Sequence, residues 1–170
     1  MIHRYAPLLK RLLEVTHRIE DGLLVAVLGT MIVFAVSQIL LRNVFGGGIV
    51  WADPLLRVLV LWVGLVGAMV ASRTDNHIAI NVLSRFLPSM ARATTGALVA
   101  LFTATVCAVI AYHATRFVVA EYNSGIKAVG QVPAWLAESV IPFAFSVIAL
   151  RYFVLTAVRL RQISTASDRP

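Results

Sequence analysis

Apolar positions in this chain gather into four long runs joined by short polar connections. The first run, residues 22–41, holds no charged side chain. A helix needs about 20 apolar residues to cross a hydrocarbon core about 30 Å thick. The runs therefore predict four transmembrane helices, at about residues 22–44, 54–72, 95–115 and 134–158. Ahead of the first run the pattern becomes two-faced. Tyr5, Leu8, Leu9, Leu12 and Ile19 share one helical face, while Arg4, Arg11 and Arg18 take another with Lys10 and Glu14. That pattern suits a helix lying in the headgroup plane, so residues 1–20 are expected to form one. Residues 77–86 have the same character: Ile78, Val82 and Phe86 fall on one face, His77, Asn81 and Arg85 on another. A second interfacial helix is expected there.

Local signals sharpen the boundaries. Asp53 before Pro54 reads as an acidic N-cap followed by proline at the first helical position. Gly46, Gly47 and Gly48 mark a turn between the first two spans. Pro133 stands near the start of the fourth span, and Pro142 inside it removes a backbone donor and should kink the helix. The polar tail, residues 164–170, is expected to be disordered. The fold class expected is all-α and integral to the membrane, a single domain over residues 1–170.

Composition agrees and removes alternatives. Charged residues are 14% of the chain and apolar ones 59%, against about 25% charged in ordinary soluble domains. The first run is longer than the apolar region of a cleaved signal peptide, about 7–15 residues, and reads as a retained span. The net charge of +7 does not point to nucleic acid, because the basic residues flank apolar spans and are not interleaved with aromatics. Their distribution sets an orientation instead, since cytoplasmic flanks collect Lys and Arg. The N-terminal segment, the connection between spans two and three (with Arg73, Arg85 and Arg92) and the C-terminal flank carry most of them. Both termini are expected to be cytoplasmic.

Lipid tails are as apolar as leucine, so spans associate through small residues and polar contacts. Gly96, Ala100, Ala104 and Ala108 form a ladder at spacing four on span three. Gly64 with Ala68, and Gly67 with Ala71, do so on span two. Span four is bulky, with Phe143, Phe145, Tyr152 and Phe153, and suits either lipid or a second membrane protein. Charges inside spans are functional candidates. Arg57 lies one turn into span two, four residues after Asp53, and Glu138 lies at similar depth in span four. An Arg57 bridge to both acids is expected. Arg151, near the inner end of span four, can reach the cytoplasmic interface. The histidines are scattered, with neither zinc spacing nor a facing haem pair. The triple glycine lacks the following Lys-Ser/Thr of a phosphate loop. Cys107 is alone and sits in an apolar span. No catalytic group, metal site or cofactor site is read in this chain, and no enzyme activity is expected.

One motif is more specific. Trp51-Ala52-Asp53-Pro54-Leu55-Leu56-Arg57 leads through Trp62 and Gly67 to Arg73 and His77-Ile78-Ala79-Ile80-Asn81, with Ile141-Pro142-Phe143 later. This resembles the small membrane subunit of tripartite ATP-independent periplasmic (TRAP) transporters. The chain departs from that pattern where Pro54 replaces a second acid, where Asp75 and Asn76 precede His77, and where Asn81 replaces a closing acid.

The resemblance implies a role in the bacterial inner membrane. Such a subunit pairs with a large multi-span subunit that holds the sodium and substrate sites, and a periplasmic binding protein delivers an organic anion such as a dicarboxylate or sialic acid. The small subunit would brace the large one during sodium-driven uptake and carry no transport site itself. Partner contacts would then fall on Trp51, Asp53, Arg57, Trp62, Gly64, Gly67, Arg73, His77 and Glu138. Membrane anchoring would fall on Arg4, Arg11, Arg18, Trp135 and Arg151. The rival is a self-contained four-span exporter working as a homodimer, which would need a buried titratable acid that the spans do not offer at mid-depth.

Overall fold

The computed structural model of the chain describes residues 6–73 and 89–167. The chain order is helix α1 (Ala6–Phe45), α2 (Ala52–Ala71), α3 (Ser89–Ser124), a small hairpin of β1 (Lys127–Val129) and β2 (Val132–Pro133), then α4 (Ala134–Glu138) and α5 (Val140–Ser167). Four segments are long and apolar enough to cross a membrane: Glu14–Phe45, Ala52–Ala71, Thr94–Ser124 and Ala134–Arg161. Each of the four expected spans thus has a helix long and apolar enough to form it.

Their limits differ from the expected ones in instructive ways. The helix from Ala6 runs into the first span without a break, so residues 6–20 do not form a separate helix. Nothing in the sequence stops it. The junction has no proline, and its single Gly22 costs about 1 kcal/mol relative to alanine. Span three likewise continues to Ser124, nine residues past its expected end, because the first breaker is Gly125. That glycine takes φ +65°, the left-handed geometry that closes helices. The C-terminal segment also stays helical to Ser167, so residues 164–167 are not the disordered tail expected. The second amphipathic helix, residues 77–86, lies outside the described residues.

The fourth span is broken where Pro142 dictates. Proline cannot donate to the carbonyl four residues back, and its ring crowds that carbonyl; here the carbonyl is that of Glu138. The first segment ends at Glu138, and Ser139 separates it from α5. Upstream, β1 and β2 pair antiparallel, with Val129 opposite Val132. Gly130 takes φ +55°, as the first central residue of a two-residue hairpin turn requires. The backbone N–H of Ala134 donates to Ile126 (2.9 Å) and ties the hairpin to the start of α4.

The chain divides into two compact units, Met1–Val70 with Val118–Val140, and Ala71–Phe117 with Ile141–Pro170. In the second unit α3 buries Ala97, Ala100, Ala104, Cys107 and Ala111, and α5 buries Ala144, Ile148, Tyr152 and Thr156. The expected ladder at strict spacing four is only partly the packed face. Steps of four residues drift about 40° around a helix of 3.6 residues per turn. Alternating steps of three and four hold one face, so after Ala104 burial passes to Cys107 and Ala111, and Ala108 is half exposed.

Candidate partner-contact site

In the first unit, the turn between α1 and α2 is organised by Gln38. This side chain sits in an apolar span and is 6% exposed. Its Nε2 donates to the carbonyl of Ile49 and its Oε1 accepts from the Ile49 N–H, both at 3.1 Å. Nε2 also reaches Asp53 Oδ1 at 3.4 Å. The Ile49 carbonyl accepts a second bond, from Ala52 N–H, at 3.0 Å. One amide side chain thus satisfies both backbone polar groups of Ile49. Gly48 leaves room for it: a Cβ there would stand 2.9 Å from Gln38 Nε2. Charge-based reading passed over Gln38, although a glutamine in a mostly apolar run was a visible signal.

Asp53 and Arg57 behave differently from expectation. Asp53 faces Arg42, with Nη1 to Oδ2 at 3.9 Å and both side chains more than half exposed. Arg57 is exposed and among the described residues has no ion-pair partner. The Arg57 bridge to Asp53 and Glu138 does not form. Asp53 is already engaged from α1, because the short turn after Phe45 brings Arg42, in the last turn of α1, beside the start of α2. Glu138 keeps Oε2 buried without a hydrogen-bond partner among the described residues.

The aromatic residues are used internally. The Trp62 indole N–H donates to the Ala137 carbonyl at 2.8 Å. The break after Glu138 loosens the carbonyls of that last turn, and Trp62 supplies a donor. Trp51 packs edge-on against Phe34, with centroids 5.9 Å apart, and Trp135 packs similarly against Tyr122 at 5.7 Å. Trp51 and Leu55 also form one wall of a cleft whose other side is the hairpin, Val129 to Val132, with a volume of about 400 Å³.

Among the described residues, a Cβ on Gly64 or Gly67 would find open space within 4 Å, so neither glycine marks a close helix contact there. Gly64 lies instead on an open strip of α2 with Arg57, Val60 and Ala68, all exposed and all on one helical face by their spacing of three or four. Of the most apolar window of each span, 6% is buried in the first and 11% in the second, against 33% in the third and in the fourth. The first two spans are thus the least covered by the described residues.

Elsewhere, Arg151 donates to Ser72 and Arg73 follows directly after, half exposed. Arg18 is exposed and Arg11 belongs to α1, while Arg4 and His77 lie outside the described residues. Among the described residues, no group of three or more His, Cys, Asp or Glu side chains is placed to hold a metal ion.

The sequence model of the family "Tripartite ATP-independent periplasmic transporters, DctQ component" matches residues 31–162, from mid-α1 into α5. The chain belongs to that family. It is a family of transporter components, not of enzymes, and with four apolar helices the chain is a multi-pass membrane protein of the inner membrane. Over 91 residues this DctQ component is 33% identical to the sialic acid TRAP transporter permease protein SiaT of Haemophilus influenzae (strain 86-028NP). The match covers 54% of this chain but 14% of that relative, so the similar segment is a small part of a much longer polypeptide.

Proposed function

We propose that this DctQ component is the small scaffold subunit of a sodium-driven TRAP transporter that takes up an organic anion delivered by a periplasmic binding protein. It grips the static part of the large transport subunit and carries no transport site. The observation that carries this reading is the uncovered pair of spans, α1 and α2, with the strip Arg57, Val60, Gly64 and Ala68 open along α2. Small residues allow a foreign helix to approach closely. Arg57, an intramembrane charge, awaits an acidic or carbonyl partner from that helix. Trp51, Asp53, Trp62, Gly67, Arg73, His77 and Glu138 complete the proposed contact region, with Trp51 and Asp53 acting through the α1–α2 turn. Both termini face the cytoplasm in this proposal, and Arg4, Arg11, Arg18, Trp135 and Arg151 anchor the chain at the interfaces. The sialic acid named for the relative makes sialic acid the first substrate to test, with dicarboxylates next.

The test is co-purification of the large subunit with this chain. Arg57→Ala should reduce recovered complex while leaving substrate affinity of the residual complex unchanged. Full recovery of complex with Arg57→Ala and with Gly64→Leu would refute the contact strip. Substrate flux through vesicles holding this chain alone would refute the scaffold role.

A further inference from the structure

The cleft in the first unit lies where α2 starts, α3 ends and α4 starts. Trp51 and Leu55 form one wall. They stand one turn apart, with the Leu55 N–H donating to the Trp51 carbonyl at 3.2 Å. Val129 and Val132 form the other wall and pair across the hairpin. Val129 is buried, whereas Trp51 is 47% and Val132 42% exposed, so large apolar surface remains open around a buried floor. The volume of about 400 Å³ falls in the range of small-ligand pockets, about 300–1,000 Å³. Charge is confined to one edge. Gln131, the amide of the lining, accepts a hydrogen bond on Oε1 from the Lys127 ammonium, which sets that cation at the rim. An ammonium carries three donors, and among the described residues Lys127 makes no ion pair. Aromatic side chains mark the depth. Trp51, Tyr122 and Trp135 stand at this end of three spans, and Trp and Tyr collect where membrane meets water. The cleft therefore lies at the level where acyl chains meet headgroups.

We propose that this cleft is a binding site for a single phospholipid, with one acyl chain between Trp51 and Val132 and the phosphate on Lys127. Apolar walls with a positive charge at one edge complement that molecule, which is apolar along its chains and negative at its phosphate. A free phosphate leaves the walls uncovered, and a hydrocarbon without a phosphate leaves the ammonium unmatched. The assignment rests neither on the scaffold role nor on the orientation proposed above.

The probe is phosphatidylglycerol, compared with diacylglycerol of the same acyl chains, added to the full chain in a mild detergent. Bound lipid is counted by native mass spectrometry. The wild-type chain should hold one phosphatidylglycerol more tightly than any further copy, and more tightly than diacylglycerol. Lys127→Gln should weaken that one about fivefold, the factor for one cation beside an anionic lipid. Val132→Trp fills the cleft and should weaken both lipids about fifteenfold, the factor for two methylenes that lose their burial. Leu55→Trp fills the same space from the α2 side and replaces Val132→Trp if that variant does not fold. Arg116→Gln and Val25→Trp make equivalent changes at exposed positions that do not line the cleft, and should bind as wild type does. Equal retention of phosphatidylglycerol and diacylglycerol overturns the proposal, as does undiminished binding by the filled variants. An equal loss in Arg116→Gln or Val25→Trp shows general adhesion to the apolar belt and overturns it too. If the purified complex with the large subunit lacks this lipid, the cleft is a protein contact and the proposal falls.

Discussion

Replacing Gln38 with leucine isolates the contribution of a single amide to the α1–α2 turn. Leucine is close in size and suits an apolar span, so the substitution removes hydrogen bonding with little change in volume. Two bonds of 3.1 Å to Ile49 are lost, along with the longer contact to Asp53 at 3.4 Å. The Ile49 carbonyl retains Ala52 N–H, whereas the Ile49 N–H loses its acceptor. Net hydrogen bonds contribute about 0.5–1.5 kcal/mol each in proteins, and interhelical ones in membranes average about 0.6 kcal/mol. Two bonds at the membrane value and one part-buried orphan donor at about 1 kcal/mol give a cost of about 2 kcal/mol. That corresponds to about a thirtyfold rise in the opening equilibrium of the turn. Hydrogen exchange at the Ile49 amide reads this directly, and denaturant titration in mixed micelles reads the global part. Exchange should accelerate at Ile49 and Ala52 and stay unchanged in α5. If Ile49 exchanges at the wild-type rate in Gln38→Leu, the amide does not hold the turn and the reasoning is wrong.

The glycines of the same turn should separate by position. Gly48→Ala drives a methyl against Gln38 and Arg42 and should lower the thermal midpoint, whereas Gly47→Ala, with open space around it, should leave the midpoint unchanged or raise it. Gly46→Ala should destabilise through backbone strain alone, because φ there is +65°. Trp62→Phe keeps the ring but removes the 2.8 Å bond to Ala137, and should cost about 1 kcal/mol by the same micelle titration. Pro142→Ala should restore the donor to Glu138 and join α4 to α5; the new amide at position 142 should then show slow exchange, and fast exchange would show that something else breaks the helix.

Much of this architecture was legible in one dimension. Span count follows from run length against a fixed hydrocarbon thickness, and helix is then the default, because a lipid-exposed backbone must satisfy itself. The break near Ser139 is written in Pro142, since a missing donor acts four residues back wherever the chain folds. What sequence reading missed has a common cause. Helix ends were drawn where hydropathy fell, but helices stop at breakers: α3 runs on to Gly125, and α1 runs unbroken through residue 22 because its one proline, Pro7, sits in the first turn, where proline is tolerated.

Pairing across the chain was the other limit. Asp53 and Arg57 are four residues apart on one helix, and local spacing made them partners. The turn instead carries Arg42 and Gln38 of α1 up to Asp53, and Arg57 is left facing outward. Gly64 and Gly67 carry the small-residue signature of a tight helix contact, yet among the described residues they meet open space. Small side chains permit close approach without specifying who approaches. Covalent order and side-chain chemistry are enough to say that a segment crosses lipid and where its backbone must break. Which groups meet across that lipid depends on the rotation of each helix about its own axis, and a hydropathy pattern that is apolar on every side leaves that rotation undetermined until the helices pack.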